Sequence, residues 1–189
     1  MRVVEGNGMT WHFPHRMLAC YSLLPVANHI SPPPRLLEAC SKEEFPLCGH
    51  IARERNYRLT ICDIEPIGPC VDKQDITALS YKAGTFTGII SSDTLEHVED
   101  MDAALAELRR VTADGGFLIL CLPVCFLGDG RKRQTTERAE AGDVNHHLWR
   151  PGMDMEQRAC AVGYRVVARV ECFDFRRMHL SALWLLECE

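Results

Sequence analysis

Short apolar runs rich in β-branched residues alternate with longer amphipathic runs along the chain from Asn56 onward. This alternation is typical of βαβ units, in which helices cover a mostly parallel sheet. The pattern therefore predicts an α/β fold. The predicted strands span residues 35–40, 58–64, 87–92, 117–124, 165–173 and 181–188.

An amphipathic helix is predicted between the third and fourth of these strands. Met101, Leu105, Leu108 and Val111 recur at steps of four, three and three residues, which places them on one face of a helix. Asp100 is a suitable N-cap, because its carboxylate can accept hydrogen bonds from the N–H groups of the first turn. The Asp-Gly-Gly run that follows is expected to separate this helix from the next strand.

A second helix is expected to open at Pro151, since the fixed φ of proline suits the first turn of a helix. Met155, Ala159 and Val162 share one face of it, and Gly163 is expected to close it. A short polar link separates the two strands that follow. They are therefore expected to pair antiparallel at the end of the sheet.

The N-terminal part is predicted to differ from this core. The Ser-Pro-Pro-Pro run at 31–34 favours an extended chain, which sets an N-terminal arm apart from the sheet. Residues 42–56 are expected to form the first crossover helix. We expect a single domain over 1–189, with 1–34 as an arm or lid and 35–189 as the α/β core.

Composition narrows the possible environments and partners. The 189 residues suit one domain, and the net charge of −5 disfavours a nucleic-acid partner, which requires a basic face. No apolar run reaches the roughly 20 residues that cross a bilayer, and residues 1–10 lack the apolar core of a signal peptide. The ten cysteines are scattered through apolar stretches, as buried free thiols are. A cytoplasmic protein without membrane contact is therefore expected.

Five segments in unbroken register carry a family resemblance. They read DITAL at 75–79, GTF at 84–86, IISSDTLEHV at 89–98, ALAELRRV at 104–111 and GG at 115–116. The set resembles the small-molecule class I methyltransferases of the methyltransferase type 11 group. The resemblance implies a three-layer Rossmann-like fold with a seven-stranded, mostly parallel sheet whose last strand is antiparallel. It also implies an enzyme that uses S-adenosylmethionine, forms S-adenosylhomocysteine and methylates a small molecule.

The resemblance also implies where the cofactor binds, because ligands of such sheets lie beyond the carboxyl ends of the strands. Asp63 would hydrogen-bond the ribose hydroxyls, and Asp75 with Ile76 would contact adenine. Simpler interpretations remain open: Asp63 can cap a turn, and Asp75 can be an ordinary loop residue. The cofactor-binding residues implied by the resemblance are Glu38, Ala39, Cys40, Asp63, Ile64, Asp75, Ile76 and Ser92.

Three catalytic candidates follow from the same resemblance. Asp93 would lie near the transferable methyl group, His97 follows one helical turn later, and His146 lies in the stretch that lines the substrate side. A histidine can remove a proton near neutral pH, which methyl transfer requires only for hydroxyl or protonated amine acceptors. A purely packing role for His97 remains open. The expected partner is a small-molecule methyl acceptor, with the chain a monomer or homodimer.

The sequence departs from the family pattern at two places. The first motif reads Glu-Ala-Cys-Ser at 38–41 and lacks the family's glycine, and Thr87 stands where the family usually has Asp. A side chain at a glycine position occupies space and restricts the backbone. Two hypotheses therefore stand: Cys40 and Ser41 act as small substitutes in a working site, or the chain is a non-catalytic binding or regulatory protein.

The sequence also bears on two other classes of protein. A nicotinamide-dependent oxidoreductase is disfavoured, because the Gly-x-Gly-x-x-Gly turn that seats a pyrophosphate is missing. A zinc site is the other alternative, with Cys121, Cys125, His146 and His147 as candidate ligands. The two cysteines lie four residues apart at a strand end, where they are poorly placed to converge on one ion. No metal site is therefore expected.

Overall fold

The computed structural model describes residues 35–41, 53–54, 56–124, 133–140, 146–174 and 179–189. The strands within these ranges are β1 Arg35–Ala39, β2 Arg58–Asp63, β3 Val71–Lys73, β4 Phe86–Ser92, β5 Thr112–Val124, β6 Glu137–Arg138, β7 Trp149–Arg150, β8 Tyr164–Asp174 and β9 His179–Cys188. The helical elements are a 3-10 turn Leu95–His97, α1 Met101–Val111 and α2 Met155–Ala161.

Seven of these strands form one sheet in the order β3-β2-β1-β4-β5-β9-β8. The pairs from β3 to β5 are parallel, whereas β9 runs antiparallel to both β5 and β8. The last strand of the chain is thus the antiparallel one. The predicted α/β fold with a seven-stranded, mostly parallel sheet is confirmed. Strands β6 and β7 pair separately as a small antiparallel ribbon.

The centre of the sheet is the hydrophobic core. Every side chain of β5 from Phe117 to Val124 is buried, as expected for a strand covered on both faces. Helix α1 packs its predicted apolar face on the core, with Met101, Leu105 and Leu108 at most 3% exposed. The Asp100 carboxylate accepts a hydrogen bond from the Ala103 N–H at 2.9 Å, so the predicted N-cap is confirmed.

The start of β5 differs from the predicted boundary at 117. The strand follows α1 directly at Thr112, which pairs with Phe86, while the next β4 pair joins Gly88 to Phe117. Residues 113–116 therefore form an irregular insertion in the strand pairing, and Gly115 adopts a positive φ of 69° there. The helix ends at Val111, because the Thr112 hydroxyl donates to the Leu108 carbonyl and caps the last turn.

The predicted start of the second helix at Pro151 is wrong. Helix α2 begins only at Met155, because the chain just before it pairs with residues 133–136 instead of coiling. The Met153 N–H donates to the Arg133 carbonyl at 3.0 Å, and the Asp154 N–H donates to that of Gln134 at 2.9 Å. The predicted end at Gly163 is confirmed by its φ of 96° after the last turn.

Some predictions fall on parts of the chain outside the described residues. These are the arm at 1–34, most of the first crossover helix at 42–56 and Cys125. Among the described helices, none combines the length and apolar character needed to span a membrane. The free thiols among the described residues include Cys40, Cys62, Cys70, Cys121, Cys160 and Cys188.

Close packing across the β4–β5 pair gives a test of the core. A methyl group added at Gly88 would lie 2.7 Å from two ring carbons of Phe117. We expect Gly88→Ala to destabilise the fold by about 1–3 kcal/mol, the usual cost of overpacking, in urea denaturation. The double variant with Phe117→Leu should lose less than the sum of the two single changes. Additive losses would contradict this contact.

Candidate functional site

The carboxyl ends of β1, β2 and β4 lie side by side at one edge of the sheet. Ala39 pairs with Cys62 on one side and with Ser91 on the other, so each next residue lies at the same level. Those next residues are Cys40, Asp63 and Ser92. Neighbouring strands are about 4.8 Å apart, and the strand order reverses between β1 and β4. This reversal point is where open α/β sheets bind ligands.

Asp63 is the last residue of β2 and is only 5% exposed. One carboxylate oxygen, Oδ1, accepts a hydrogen bond from the Glu65 N–H at 2.8 Å. The carboxylate therefore caps the turn after β2, as the simpler interpretation proposed. Its second oxygen, Oδ2, makes no hydrogen bond with any residue that the structure describes. Asp63 can thus cap the turn and accept from a ligand hydroxyl at the same time.

Cys40 takes the backbone conformation that a glycine would normally supply. Its φ is 64°, in the left-handed region, and its N–H donates to the Cys62 carbonyl at 2.7 Å. The Ser41 N–H donates to the same carbonyl at 3.1 Å. The turn after β1 is therefore formed without glycine, with a cysteine in the strained position.

The Cys40 thiol is neutral at physiological pH. Burial is the main reason that its pKa lies far above the usual range, and the nearby Asp63 and Asp75 carboxylates raise it further. Thr94 makes a hydrogen bond to the same thiol, which acts in the opposite direction. Burial also raises the pKa of Cys62 to about 11. Neither thiol is therefore a nucleophile. The same influence on the pKa of Cys40 indicates that the Asp63 and Asp75 carboxylates both lie near it.

Asp75 and Ile76 follow β3 at the same sheet edge. The Gln74 N–H donates to the Asp63 carbonyl at 2.9 Å, which joins the β3 end to the β2 end. Asp75 Oδ1 accepts from the Thr77 N–H at 2.9 Å and from its hydroxyl at 2.7 Å, and these bonds lower the pKa of Asp75. The Ile76 side chain is 5% exposed and packs in the core. Asp75 is exposed, as a loop residue would be.

A clamp on α1, which the sequence patterns did not reveal, holds the segment after Asp75. Glu107 accepts two hydrogen bonds from Arg110 at 2.7 Å and one from the Leu79 N–H at 2.9 Å. Arg110 in turn donates to the carbonyls of Leu79 and Tyr81 at 2.7 and 2.8 Å. The helix thereby fixes the loop that carries Asp75. This role of Glu107 and Arg110 is visible only in the tertiary structure, because their partners in the loop are distant in the sequence.

Ser92 and Asp93 end β4 beside this edge. Asp93 has a φ of 52°, and its N–H donates to the Cys121 carbonyl of β5 at 3.0 Å. The Ser92 hydroxyl lies 3.3 Å from Asp93 Oδ2. Cys40 and Asp93 thus both adopt left-handed backbone, at the ends of the two strands that flank the reversal point. Both strand ends turn sharply out of the sheet there.

His97 ends the 3-10 turn that follows Asp93, and its side chain is exposed. Its Nδ1 lies 3.2 Å from the carbonyl oxygen of His146, and its ring contacts that of His147 with 4.8 Å between centroids. The Leu148 N–H donates to the Glu96 carbonyl at 2.8 Å, which ties the 146–150 segment to the turn. His97 and His146 are therefore brought together, through the His146 backbone.

The remaining sequence-predicted cofactor residues occupy different positions along the same edge. Glu38 and Ala39 lie within the end of β1 and are each 3% exposed. Ile64 lies just beyond β2 and is 56% exposed, which is unusual for a large apolar side chain. All eight cofactor candidates thus lie in or just after the carboxyl ends of β1, β2, β3 and β4.

A separate cleft of about 420 Å³ lies at the start of α1 and contains none of the predicted site residues. Four of its five charged side chains form two ion pairs, and the fifth, Asp100, caps α1. Arg158 contacts Asp102 at 2.8 Å, and Arg138 pairs with Glu99 while its guanidinium lies 4.4 Å from the Trp149 ring centroid. This cleft is therefore distinct from the strand-end site.

Comparison with known proteins agrees with the fold and with the motif positions. Residues 50–120 match the family model described as a methyltransferase domain. A demethylmenaquinone methyltransferase of Streptomyces avermitilis is 45% identical over 47 residues, which are 25% of this chain and 20% of that protein. The chain thus matches only a fifth of the length of this curated relative.

Solved structures resemble nearly the whole chain at low identity. The [4+2]-cyclase SpnF has a TM-score of 0.70 and 13% identity, covering 97% of this chain and 85% of its own. The N-methyltransferase NodS of Bradyrhizobium japonicum, bound to S-adenosylhomocysteine, has a TM-score of 0.64 and 16% identity, covering 94% of this chain and 89% of its own. The Burkholderia thailandensis 1,6-didemethyltoxoflavin N1-methyltransferase has a TM-score of 0.65 and 13% identity, covering 98% of this chain and 93% of its own. The predicted Rossmann-like methyltransferase fold is confirmed.

Substitutions at Cys40 test whether the turn needs its left-handed backbone. Valine is branched at Cβ and strongly disfavours positive φ, whereas glycine accepts it freely. We expect Cys40→Val to be less stable than Cys40→Gly by about 1 kcal/mol or more in chemical denaturation. Cys62→Val, at a buried thiol in a regular strand, should cost less than Cys40→Val. Equal costs at the two positions would contradict the strained turn.

The clamp between Glu107 and Arg110 gives a pH-dependent test. The Arg110 hydrogen bonds hold the pKa of Glu107 below its usual value, so its stabilising contribution is complete above about pH 4.3. That contribution fades as the pH falls through the lower pKa of the folded state. Glu107→Gln should cost about 1.5–3 kcal/mol near pH 7, near the lower limit because the side chain is 21% exposed.

Urea denaturation from about pH 7 to about pH 3 measures this difference. The stability gap between the unmodified chain and Glu107→Gln should close as Glu107 becomes protonated. Glu54→Gln, at an exposed position, serves as the control and should not change stability at either pH. A gap of constant size across this pH range would show that the charge of Glu107 does not contribute to stability.

Proposed function

We propose that this chain, which has the class I methyltransferase fold and matches the methyltransferase domain family over residues 50–120, is a methyltransferase that uses S-adenosylmethionine. One observation carries the proposal. The carboxylates of Asp63 and Asp75 both lie near Cys40, at the point where the strand order reverses. A ligand with a ribose and an adenine ring offers hydrogen-bond donors to both carboxylates.

The residues at the strand ends fit such a ligand. Asp63 Oδ2 is available to accept from a ribose hydroxyl, because only Oδ1 is used by the turn. Asp75 Oδ1 is engaged by Thr77, so Oδ2 is the atom that would accept from the adenine amine. Cys40 adopts a left-handed backbone at the position where the family has glycine, which supports the proposal that the turn can pass beside the ligand.

When bound, S-adenosylmethionine would supply an activated methyl group on its positively charged sulfur. The chain's own contribution is then alignment of the acceptor and exclusion of water. Ser92 and Asp93 would flank the reacting end of the cofactor. Where the acceptor must lose a proton, Asp93, His97 and His146 are the candidates to receive it.

A small molecule is the acceptor class that we propose. The similar proteins from Streptomyces avermitilis and Burkholderia thailandensis are named for a demethylated menaquinone and for 1,6-didemethyltoxoflavin. The SpnF protein, named as a cyclase, shows that this fold also hosts another reaction. A demethylated quinone is therefore a reasonable first acceptor to assay, with methylated product detected by mass.

Ligand-dependent stability tests the cofactor site directly. With S-adenosylhomocysteine at a hundred times its dissociation constant, we expect the chain to gain about 2.7 kcal/mol of stability. Asp63→Asn should weaken that binding about tenfold or more, because a charge-assisted hydrogen bond contributes about 1.5–3 kcal/mol. Thermal melting and calorimetric titration measure both effects.

The matched control is Asp114→Asn, which removes a carboxylate that is 93% exposed near the start of β5, away from the strand-end site. It should bind S-adenosylhomocysteine as the unmodified chain does. If the unmodified chain gains no stability from S-adenosylhomocysteine or S-adenosylmethionine, the proposal fails and the non-catalytic alternative is favoured. Stabilisation by NADH instead would favour an oxidoreductase.

A further inference from the structure

Two imidazoles and one carboxylate meet where the 3-10 turn contacts the 146–150 segment. The side chains of Glu96, His97 and His147 each offer one ligand atom, and these atoms all lie within 4.8 Å of one another. Glu96 is completely buried, His147 is partly buried and His97 is exposed. We propose that these three residues form a binding site for a divalent metal ion of the zinc class.

The tautomer of His97 suits metal binding. A carbonyl oxygen only accepts hydrogen bonds, so Nδ1 must donate to the His146 carbonyl at 3.2 Å. Nε2 therefore keeps the lone pair that a metal ion needs. Histidine ligands of metals commonly donate their other N–H to a carboxylate or backbone carbonyl, which fixes the ring. His97 already has this supporting contact.

The ligands are held by two segments that are themselves joined. The Leu148 N–H donates to the Glu96 carbonyl at 2.8 Å, and the Trp149 indole N–H donates to the Val98 carbonyl at 2.8 Å. These bonds fix the His147 backbone beside the turn that carries Glu96 and His97. Ligands at about 2.1 Å from an ion in a tetrahedral site are about 3.4 Å apart, so ligand atoms as much as 4.8 Å apart must approach by about 1.4 Å through side-chain movement.

The ligand set selects the kind of metal. Imidazole favours zinc, iron, nickel and copper over magnesium or calcium, and the set contains no thiolate. Two histidines and one glutamate also match the protein ligands of open zinc sites, which leave a position for water or a small-molecule oxygen.

This ligand set differs from the four residues that the sequence suggested as a zinc alternative. His147 is common to both sets. Cys121 lies within β5 and is completely buried, and it is not among the three residues of the cluster. The neighbouring His146 contributes its backbone carbonyl, not its ring, to the arrangement. The proposal does not depend on methyl transfer, because it concerns binding of the metal itself.

Zinc and cobalt binding to the purified chain tests the proposal. Titration with Zn²⁺ against a chromogenic chelator should give one site per chain, and Co²⁺ should give the visible bands of nitrogen and oxygen coordination. His97→Ala and His147→Ala should each weaken Zn²⁺ binding by about tenfold or more, since even residues that only support a ligand contribute that much. Glu96→Gln, which preserves the side-chain shape, should do the same.

The matched control is His146→Asn, which removes a neighbouring imidazole and tolerates the φ of 59° at that position. It should bind Zn²⁺ with unchanged affinity. Circular dichroism checks that each variant is folded. The proposal is overturned if the unmodified chain binds no Zn²⁺, if the His97 and His147 variants bind as tightly as the unmodified chain, or if Co²⁺ shows thiolate charge-transfer absorption.

Discussion

The parallel pairing of β1 between β2 and β4 is the constraint on which the candidate site depends. Because Ala39 is in register with both Cys62 and Ser91, three strands end at one level. Side chains far apart in the sequence then share one edge of the sheet. A shift of β1 by a single residue would turn each of its side chains to the opposite face of the sheet.

The cost of this arrangement is concentrated at the strand ends. Cys40 and Asp93 both have left-handed backbone, which L-residues adopt at a cost of about 1–2 kcal/mol each. The surrounding sheet holds them there, since their N–H groups donate to carbonyls of neighbouring strands. Strained residues held by a rigid surround are typical of binding sites, and here they flank the reversal point of the sheet.

Long-range polar contacts determine the order of the loops around that edge. The carboxylate of Glu107 and the guanidinium of Arg110 hold the chain after Asp75 to α1. On the other side, the backbone of Leu148 holds the histidine segment to the 3-10 turn. Both contacts join residues at least 28 positions apart in the chain. They position groups that local sequence patterns cannot relate to each other.

The sequence by itself determined the fold class, the antiparallel last strand, the cap at Asp100 and the candidate positions at the strand ends. The fold class, the last strand and the cap follow from hydrophobic periodicity and local backbone preferences, which act over a few residues, whereas the candidate positions come from the family resemblance. Tertiary structure alone decided that α2 starts at Met155 and that Cys40 accepts a left-handed turn without glycine. It also brought His147 to Glu96 and His97, because only packing between distant segments sets such distances.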